Sequence, residues 1–419
     1  MSKGTQEYDI IFIGGGAASF FASIVCAEKN PTLKIAILER GKEVLQKVRI
    51  SGGGRCNVTN ACFDPKELIL NYPRGKKELL GSFYQFNCQD TITWFNERGV
   101  QLKTEADGRM FPITDNSETI AQCLIQSAIK AKVKIITSCR VDNITKTANG
   151  WELSTVNGPF LSKKLFIGAG SSNAVWDILA RLGHQIIPAV PSLFTFNIKD
   201  KLLHELAGVS VSKTSLSVYP SVKKKEAIIT TGPILFTHWG LSGPAILKSS
   251  AWGARILNSC NYIFDIYINW LYPMNVIEVL EYLSKLKSSE SSKKQVNTHS
   301  PFSQIPLRLW KYLLGRILTY NNNKNWADLN KKEISSIADI LANCMFKVNG
   351  KSTFKEEFVT AGGVSLKDIN LKTFESKIVP SLYFGGEILD VDAITGGFNF
   401  QAAWTGGYLA GIVMGNSIK

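Results

Sequence analysis

The chain has 419 residues, 45% of them hydrophobic, and a formal net charge of +14. That length accommodates two or three domains with substantial cores, and the composition is that of a soluble globular protein. No uninterrupted apolar run is long enough to span a bilayer, because the most apolar stretch, residues 262–272, is broken by Asp265 and Asn269. Residues 10–13 form a short apolar run of strand character. Gly14, Gly15 and Gly16 follow, then a small and apolar helical stretch to Ala27, then a second apolar run that ends at Glu39. Strand, glycine turn, helix, strand and acid in that order describe a βαβ unit that holds a dinucleotide. Gly14 permits the tight turn, and Gly16 lets backbone approach a pyrophosphate at the helix N-terminus. The third glycine position holds Ser19, and Glu39 stands 20 positions further on, where a carboxylate can accept from a ribose.

Residues 119–131 read as a helix capped from within Asp115, Asn116 and Ser117. Residues 133–137, 151–155 and 164–167 read as strands, the last ending in Gly168, Ala169 and Gly170. From Leu193 the pattern alternates in the strand manner over 194–198, 209–218 and 227–230. Helical patterns follow at 276–286, 307–318 and 332–344, with a polar linker at 288–294. A strand at 381–384 precedes Gly385, Gly386 and Glu387, and residues 404–414 form an apolar helix rich in small residues, suited to packing on a sheet. The expected organisation is a nucleotide-binding domain built from 1–192 and 354–419, with 193–353 inserted as a β domain followed by helices.

The eight cysteines are scattered without a CxxC motif, and the four histidines have no ligand-like spacing, so reduced cytosolic thiols and no metal are expected. The N-terminus enters the first strand without the features of a secretory signal, which points to the cytoplasm and to no stable membrane association. The excess positive charge fits either a lysine-rich solvated surface or a polyanionic partner such as RNA. Its clusters are Lys223–Lys225, the set Lys285, Lys287, Lys293 and Lys294, and Lys324 with Lys331 and Lys332.

Three further glycine-rich segments carry chemistry: Ser51 to Asn60, Gly168 to Gly170, and Gly385 through Asp390 to Gly396, Gly397, Phe398 and Asn399. Consecutive backbone N–H groups make an anion nest, and the last segment can set N–H groups against the polar edge of a flavin. A nicotinamide cofactor alone leaves the C-terminal glycines without a role.

The stretches IGGGAAS, ISGGGRCNVTN, GRMFP, ILFTHWGLSGPAIL, VTAGGVSL, TFESK and YFGGEILDVDAITGGFNFQAAWTGGYLAG run from Ile13 to Gly411. In this order they resemble the BaiN/RdsA family of bacterial FAD-dependent oxidoreductases, which includes aminoacetone oxidase-like flavoproteins. The resemblance implies an α/β fold: a Rossmann-like FAD-binding domain with an inserted flattened β-barrel and helical subdomain. It implies that Gly14, Gly16, Ala17 and Ala18 meet the pyrophosphate and Glu39 the ribose, with Arg40 and Val141 beside it. Lys47, Ser51, Gly53, Gly54, Arg55, Cys56, Asn57 and the Gly168–Gly170 turn then line the cofactor. Gly386, Glu387, Asp390, Gly397, Phe398 and Asn399 hold ribityl and flavin. Two departures stand out. The loop after residue 167 is short, and the family's GGYN is Gly396, Gly397, Phe398, Asn399 here, without the phenol hydroxyl.

Three alternatives stay open. Cys56 and Cys62, with five residues between them, are either plain thiols or a redox pair. Gly168 to Gly170 either lines the flavin or opens a second unit for NAD(P)H, although no ribose-reading residue follows. His238, in FTHWGLSGP, and Arg55 are the acid–base and electrostatic candidates for catalysis, and each is also readable as structural. The family activity expected is hydride transfer from reduced flavin to a conjugated C=C, with NAD(P)H a possible donor. The substrate is a small molecule or uridine of ribosomal RNA. An oxidase of a small amine and a flavin-binding sensor or assembly protein are the rivals.

Overall fold

The computed structural model describes residues 4–220, 227–318, 324–352 and 359–416. The chain divides into two compact units, Met1–Val190 with Lys355–Lys419, and Pro191–Phe354.

The first unit is built on a parallel sheet. Its strands are β1 (Gln6–Ile13), β2 (Ile35–Leu38), β3 (Lys134–Ile136), β4 (Gly158–Ile167) and β5 (Leu382–Phe384), in the spatial order β5-β4-β1-β2-β3. β2 and the carboxyl halves of β1 and β4 read as continuous apolar runs because both faces are covered, as parallel sheets require. Two helices matter for the site. α1 (Ala17–Lys29) connects β1 to β2, and α2 (Phe398–Asn416) closes the chain.

α2 carries small residues where it meets α1. A Cβ added at Gly407, Gly411 or Gly415 would stand within 3.0 Å of the α1 carbonyls of Ala18, Ala22 and Cys26. The apolar C-terminal helix therefore packs chiefly on α1, where the composition alone suggests packing on the sheet. The antiparallel hairpin Val141–Thr147 with Gly150–Thr155 extends the sheet from β4.

The second unit holds an antiparallel sheet of seven strands. In spatial order they are Cys344–Asn349, Ile263–Asn269, Ser210–Tyr219, Ile228–Thr237, Gly240–Ser242, Thr195–Asn197 and Lys351–Ser352. The two end strands of this path are consecutive in the chain, and Gly350 joins them while accepting from the amide of Asn197 at 3.0 Å. The sheet is thus brought back on itself as a flattened barrel. Helices Val276–Lys287, Leu307–Gly315 and Lys331–Ala342 share its core, with Trp270, Trp310 and Trp326 fully buried.

Strand Ile263–Asn269 occupies the stretch that the sequence marks only as a broken apolar run; Phe264, Ile266 and Ile268 point inward and alternate with Asp265 and Tyr267. Helix Pro244–Trp252 has no sequence counterpart, because Ala245, Ile246, Ser249, Ser250 and Ala251 are all buried and leave no polar stripe to read. The Rossmann-like α/β class with an inserted β-barrel and helical part is the fold observed. Among the described residues, no helix is long and apolar enough to cross a membrane.

Candidate functional site

One register line crosses the parallel sheet: Phe384, Ile167, Ile13, Leu38 and Ile136 are successive cross-strand partners. The next residues in sequence are Gly385, Gly168, Gly14 and Glu39. Four segments far apart in the chain therefore leave the sheet at its carboxyl edge, side by side, where open α/β sheets bind ligands.

Gly14 has φ +98°, and a Cβ there would lie 2.6 Å from the Gly168 carbonyl oxygen. No side chain fits. Gly16 caps α1 without any side-chain hydrogen bond, so the first amides of that helix are offered to an anion. Ser19 is fully buried on α1, and its Oγ has no hydrogen-bond partner. It explains Gly168 instead: a Cβ at 168 would meet that oxygen at 2.2 Å.

Glu39 is held by backbone at both oxygens. Oε2 accepts from the Gly15 amide at 2.6 Å and Oε1 from the Gly41 amide at 2.7 Å. Each oxygen keeps a lone pair for a ligand hydroxyl. The Glu39 carbonyl accepts from Cys139 at 2.8 Å, which brings the start of the Val141 strand alongside, with Val141 itself half-buried. Arg40 is exposed at the same edge.

The segment after Gln46 forms a short helix that unwinds through Ser51 into Gly52, Gly53 and Gly54, all with positive φ between 58° and 83°. Gly53 and Gly54 are exposed, and nothing lies within 4 Å of where their side chains would be. Successive glycine amides facing open space can receive an anion or a polar ring edge. The segment is fastened to the C-terminal motif. In the orientation that satisfies both of its groups, the Asn57 amide donates to the Thr59 carbonyl at 3.1 Å and accepts from the Gly397 amide at 2.9 Å. Asn60 donates to the Gly396 carbonyl at 2.9 Å, and Trp404 to the Val58 carbonyl at 2.9 Å. Gly397, at φ +88°, has the Thr59 carbonyl oxygen 2.4 Å from a would-be Cβ.

Lys47 and Glu387 form an ion pair, and Glu387 also accepts from the Thr360 amide at 3.0 Å. A Cβ on Gly170 would lie 3.9 Å from the same carboxylate. Gly386 places its backbone on Ala18 of α1, 3.3 Å from a would-be Cβ, and the Asp390 amide donates to Val364 at 2.9 Å. Asn399 is occupied locally: its amide accepts from the Ala393 N–H at 2.9 Å and donates to the Ala393 carbonyl at 3.2 Å. Phe398 is buried edge-on to Tyr72, whose hydroxyl donates to the Phe398 carbonyl at 2.6 Å. Asn57 and Asn399 thus shape the site with their side chains.

Arg55 is committed to protein partners. It pairs with Glu105 at 2.6 Å and Asp115 at 3.5 Å, and its guanidinium lies 3.9 Å from the Phe111 ring centroid. The Glu105 hydrogen bond raises its pKa further. Cys56 is buried beside the Ser51 side chain, and burial pushes its thiol up to about 12. Cys56 and Cys62 are both free thiols. His238 lies in the second unit, exposed at the tip of the hairpin that joins Ile228–Thr237 to Gly240–Ser242. Lys223 to Lys225 lie outside the described residues.

Two further interactions tie distant segments to the site. Arg74 makes a two-pronged ion pair with Asp392, which is fully buried, and fixes the turn before Gly396. Gln401 accepts from Thr59 at 2.6 Å and Thr91 at 2.9 Å, a buried network that joins three segments. Only their distance partners reveal such residues, and those stand more than 300 positions away.

A family model described as "HI0933-like protein Rossmann domain" matches residues 8–413. A protein of Escherichia coli (strain K12) named "Ribosomal RNA dihydrouridine synthase" is 29% identical over 416 residues, covering 96% of each chain. One of Clostridium scindens named "3-dehydro-bile acid delta(4,6)-reductase" is 26% identical over 418 residues, covering 95% of this chain and 97% of that one. Among solved structures, a 3-ketosteroid-delta4-(5alpha)-dehydrogenase from Rhodococcus jostii RHA1 superposes with a TM-score of 0.53 at 11% identity, covering 98% of this chain and 97% of that chain. A flavocytochrome c3 fumarate reductase gives 0.51 at 12% identity, covering 98% and 78%. The last two share the fold.

Proposed function

The chain belongs to the HI0933-like Rossmann-domain family, and from that premise we propose that it is an FAD-dependent reductase of uridine in ribosomal RNA. The observation that carries the cofactor is the carboxyl edge of the sheet: an uncapped helix start, a carboxylate with both oxygens held by backbone amides, and a three-glycine turn open to solvent. These residues fit FAD. The amides of Ala17 and Ala18 would receive the pyrophosphate, Glu39 the adenosine ribose, and the Gly52–Gly54 turn with Gly386 and Gly397 the remaining length. When bound and reduced, FAD supplies a hydride to an electron-poor C=C.

Conversion of uracil to its dihydro form adds a hydride at C6 and a proton at C5, two electrons in all. Reduced FAD held at this edge would supply that hydride, and NAD(P)H is the proposed source of its electrons. A protein acid or water must supply the proton. His238 is the candidate, since an imidazole can hold and release a proton, and Arg55 is assigned to positioning Phe111 and the glycine turn. Full-length similarity to an Escherichia coli protein named for ribosomal RNA dihydrouridine supports the substrate. The similarity to a bile-acid reductase favours one alternative, a small conjugated ketone.

The test is a mass-spectrometric map of dihydrouridine in ribosomal RNA from a strain lacking the gene. Loss of a dihydrouridine that returns with the wild-type gene is expected. An unchanged map, with turnover of a small enone by the purified protein, would move the substrate to the second class.

A further inference from the structure

Two segments wall the carboxyl edge of the parallel sheet. One follows β2 and carries Lys47; the other follows β5 and carries Glu387. β4 and β1 lie between those strands, so the walls rise three strand spacings apart, roughly 14 Å. The floor is the Gly14–Gly16 turn, the start of α1 and the Gly168–Gly170 turn. Each wall touches that floor. The Leu45 amide donates to the Gly15 carbonyl at 2.8 Å, and a Cβ on Gly15 would lie 2.8 Å from the Val44 side chain. Gly386 rests on Ala18 of α1, and the Glu387 carboxylate stands 3.9 Å from a would-be Cβ on Gly170.

The Lys47–Glu387 ion pair joins the two walls across the floor. Its ends are unequal. The Glu387 side chain is only 18% exposed, and its other oxygen accepts from the Thr360 amide at 3.0 Å, so the carboxylate is fixed. The Lys47 side chain is 55% exposed and carries its charge on a flexible four-carbon stem, so the ammonium is the end that swings. A pair with one fixed and one swinging end can part without unfolding either wall.

We propose that this pair is a clasp over the cofactor edge, which parts when FAD enters and again when it leaves. The proposal rests on the reading that the edge holds FAD. A clasp closed in both the free and the loaded protein stabilises those two states alike, and it is absent from the open state between them. Breaking it therefore lowers both barriers equally: FAD arrives faster, leaves faster, and the equilibrium stays where it was. A side chain that only binds the cofactor behaves otherwise, since its loss speeds release alone.

The experiment follows FAD release from the loaded full chain, and FAD uptake by the same protein after its flavin is removed, by flavin fluorescence. Lys47→Met and Glu387→Gln should each raise both rates about two- to fivefold, the range of a half-exposed ion pair, and leave Kd within about twofold of wild type. Glutamine still accepts from Thr360, so the second variant removes only the charge. Lys47→Arg keeps the charge and should match wild type. The double variant should be no faster than either single, because both remove one interaction. The gap between wild type and Lys47→Met should close between about 0.05 and about 1 M NaCl, as the pair is screened. Near-UV circular dichroism checks folding, and the exposed Lys47→Met carries the test by itself where Glu387→Gln does not fold. Faster release with unchanged uptake makes Lys47 a direct cofactor ligand and overturns the clasp. Faster uptake alone makes the pair a plug of the unloaded edge and overturns it too, as do unchanged rates or additive effects in the double variant. A wild-type protein that releases no FAD on denaturation removes the cofactor reading and the clasp together. Bound FAD with rates indifferent to the pair removes the clasp and leaves that reading.

Discussion

The two units differ in what their sequences must specify. In the first, the carboxyl edge of the sheet is lined by backbone: Gly14, Gly52–Gly54, Gly386 and Gly397 all have positive φ. In the second, the strands are two-faced, with alternate side chains buried in the core. Backbone recognition needs glycine at set positions, so it writes itself into sequence. A two-faced sheet needs only that alternate residues be apolar, and leaves almost no motif.

The comparison breaks most severely at Gly14. A β-carbon there meets the Gly168 carbonyl oxygen at 2.6 Å, on a backbone at φ +98°. Gly14→Ala should cost roughly 2–5 kcal/mol from strain and overpacking together, enough to abolish flavin retention on a desalting column. Gly53→Ala separates the two causes, because φ is +68° but nothing lies within 4 Å of the new carbon. It should cost only the strain, about 1–2 kcal/mol. Equal losses in the two variants would show that conformation, and not the approach of Gly168, makes Gly14 obligatory.

Glu39→Ala comes next. It removes the acceptor for the Gly15 and Gly41 amides as well as for the ribose, and should weaken FAD binding by roughly 1–3 kcal/mol. The flavin released on denaturation should be FAD; release of FMN alone would mean that the adenosine-binding end has been misassigned.

The legibility of the chain follows the same division. The βαβ unit, Glu39 and the glycine segments are local patterns, and the family resemblance drawn from them agrees with the family model over residues 8–413. What sequence did not disclose depends on partners far away. The Arg74–Asp392 pair and the Gln401 network join segments more than 300 residues apart, and no local period marks either. Strand Ile263–Asn269 escaped for a different reason. Asp265 and Asn269 interrupt an apolar run, but they are the outward positions of a period of two.

Thiols give a smaller effect, spread over both units. Burial raises Cys26 and Cys56 to about 12, and Cys88 and Cys344 to about 11, from 9.0 in the unfolded chain. A raised folded value favours the protonated native state, so this stability is complete below pH 9 and is lost as pH rises from 9 towards 12. Each thiol should steepen the fall by at most about 1.4 kcal/mol per pH unit. Urea midpoints measured from pH 7 to 10.5 should be flat to pH 9 and then decline, less steeply in Cys56→Ser. Flavin turnover should survive Cys56→Ser and Cys62→Ser alike, because neither thiol is paired. Loss of all turnover in both, with FAD still bound, would restore a dithiol relay.

The smallest effect concerns Lys223, Lys224 and Lys225, a basic run in the more strongly charged unit. If they contact phosphates, each releases a counterion when RNA binds, and the logarithm of affinity falls with the logarithm of salt by about 0.7 per contact on a single strand. Replacing all three by Gln should therefore shallow that slope by at most about 2 and leave FAD occupancy unchanged. The loss should be similar for every RNA sequence, since a lysine reads charge and not bases. A slope unchanged in the triple variant, at low and physiological salt alike, assigns these lysines to solubility.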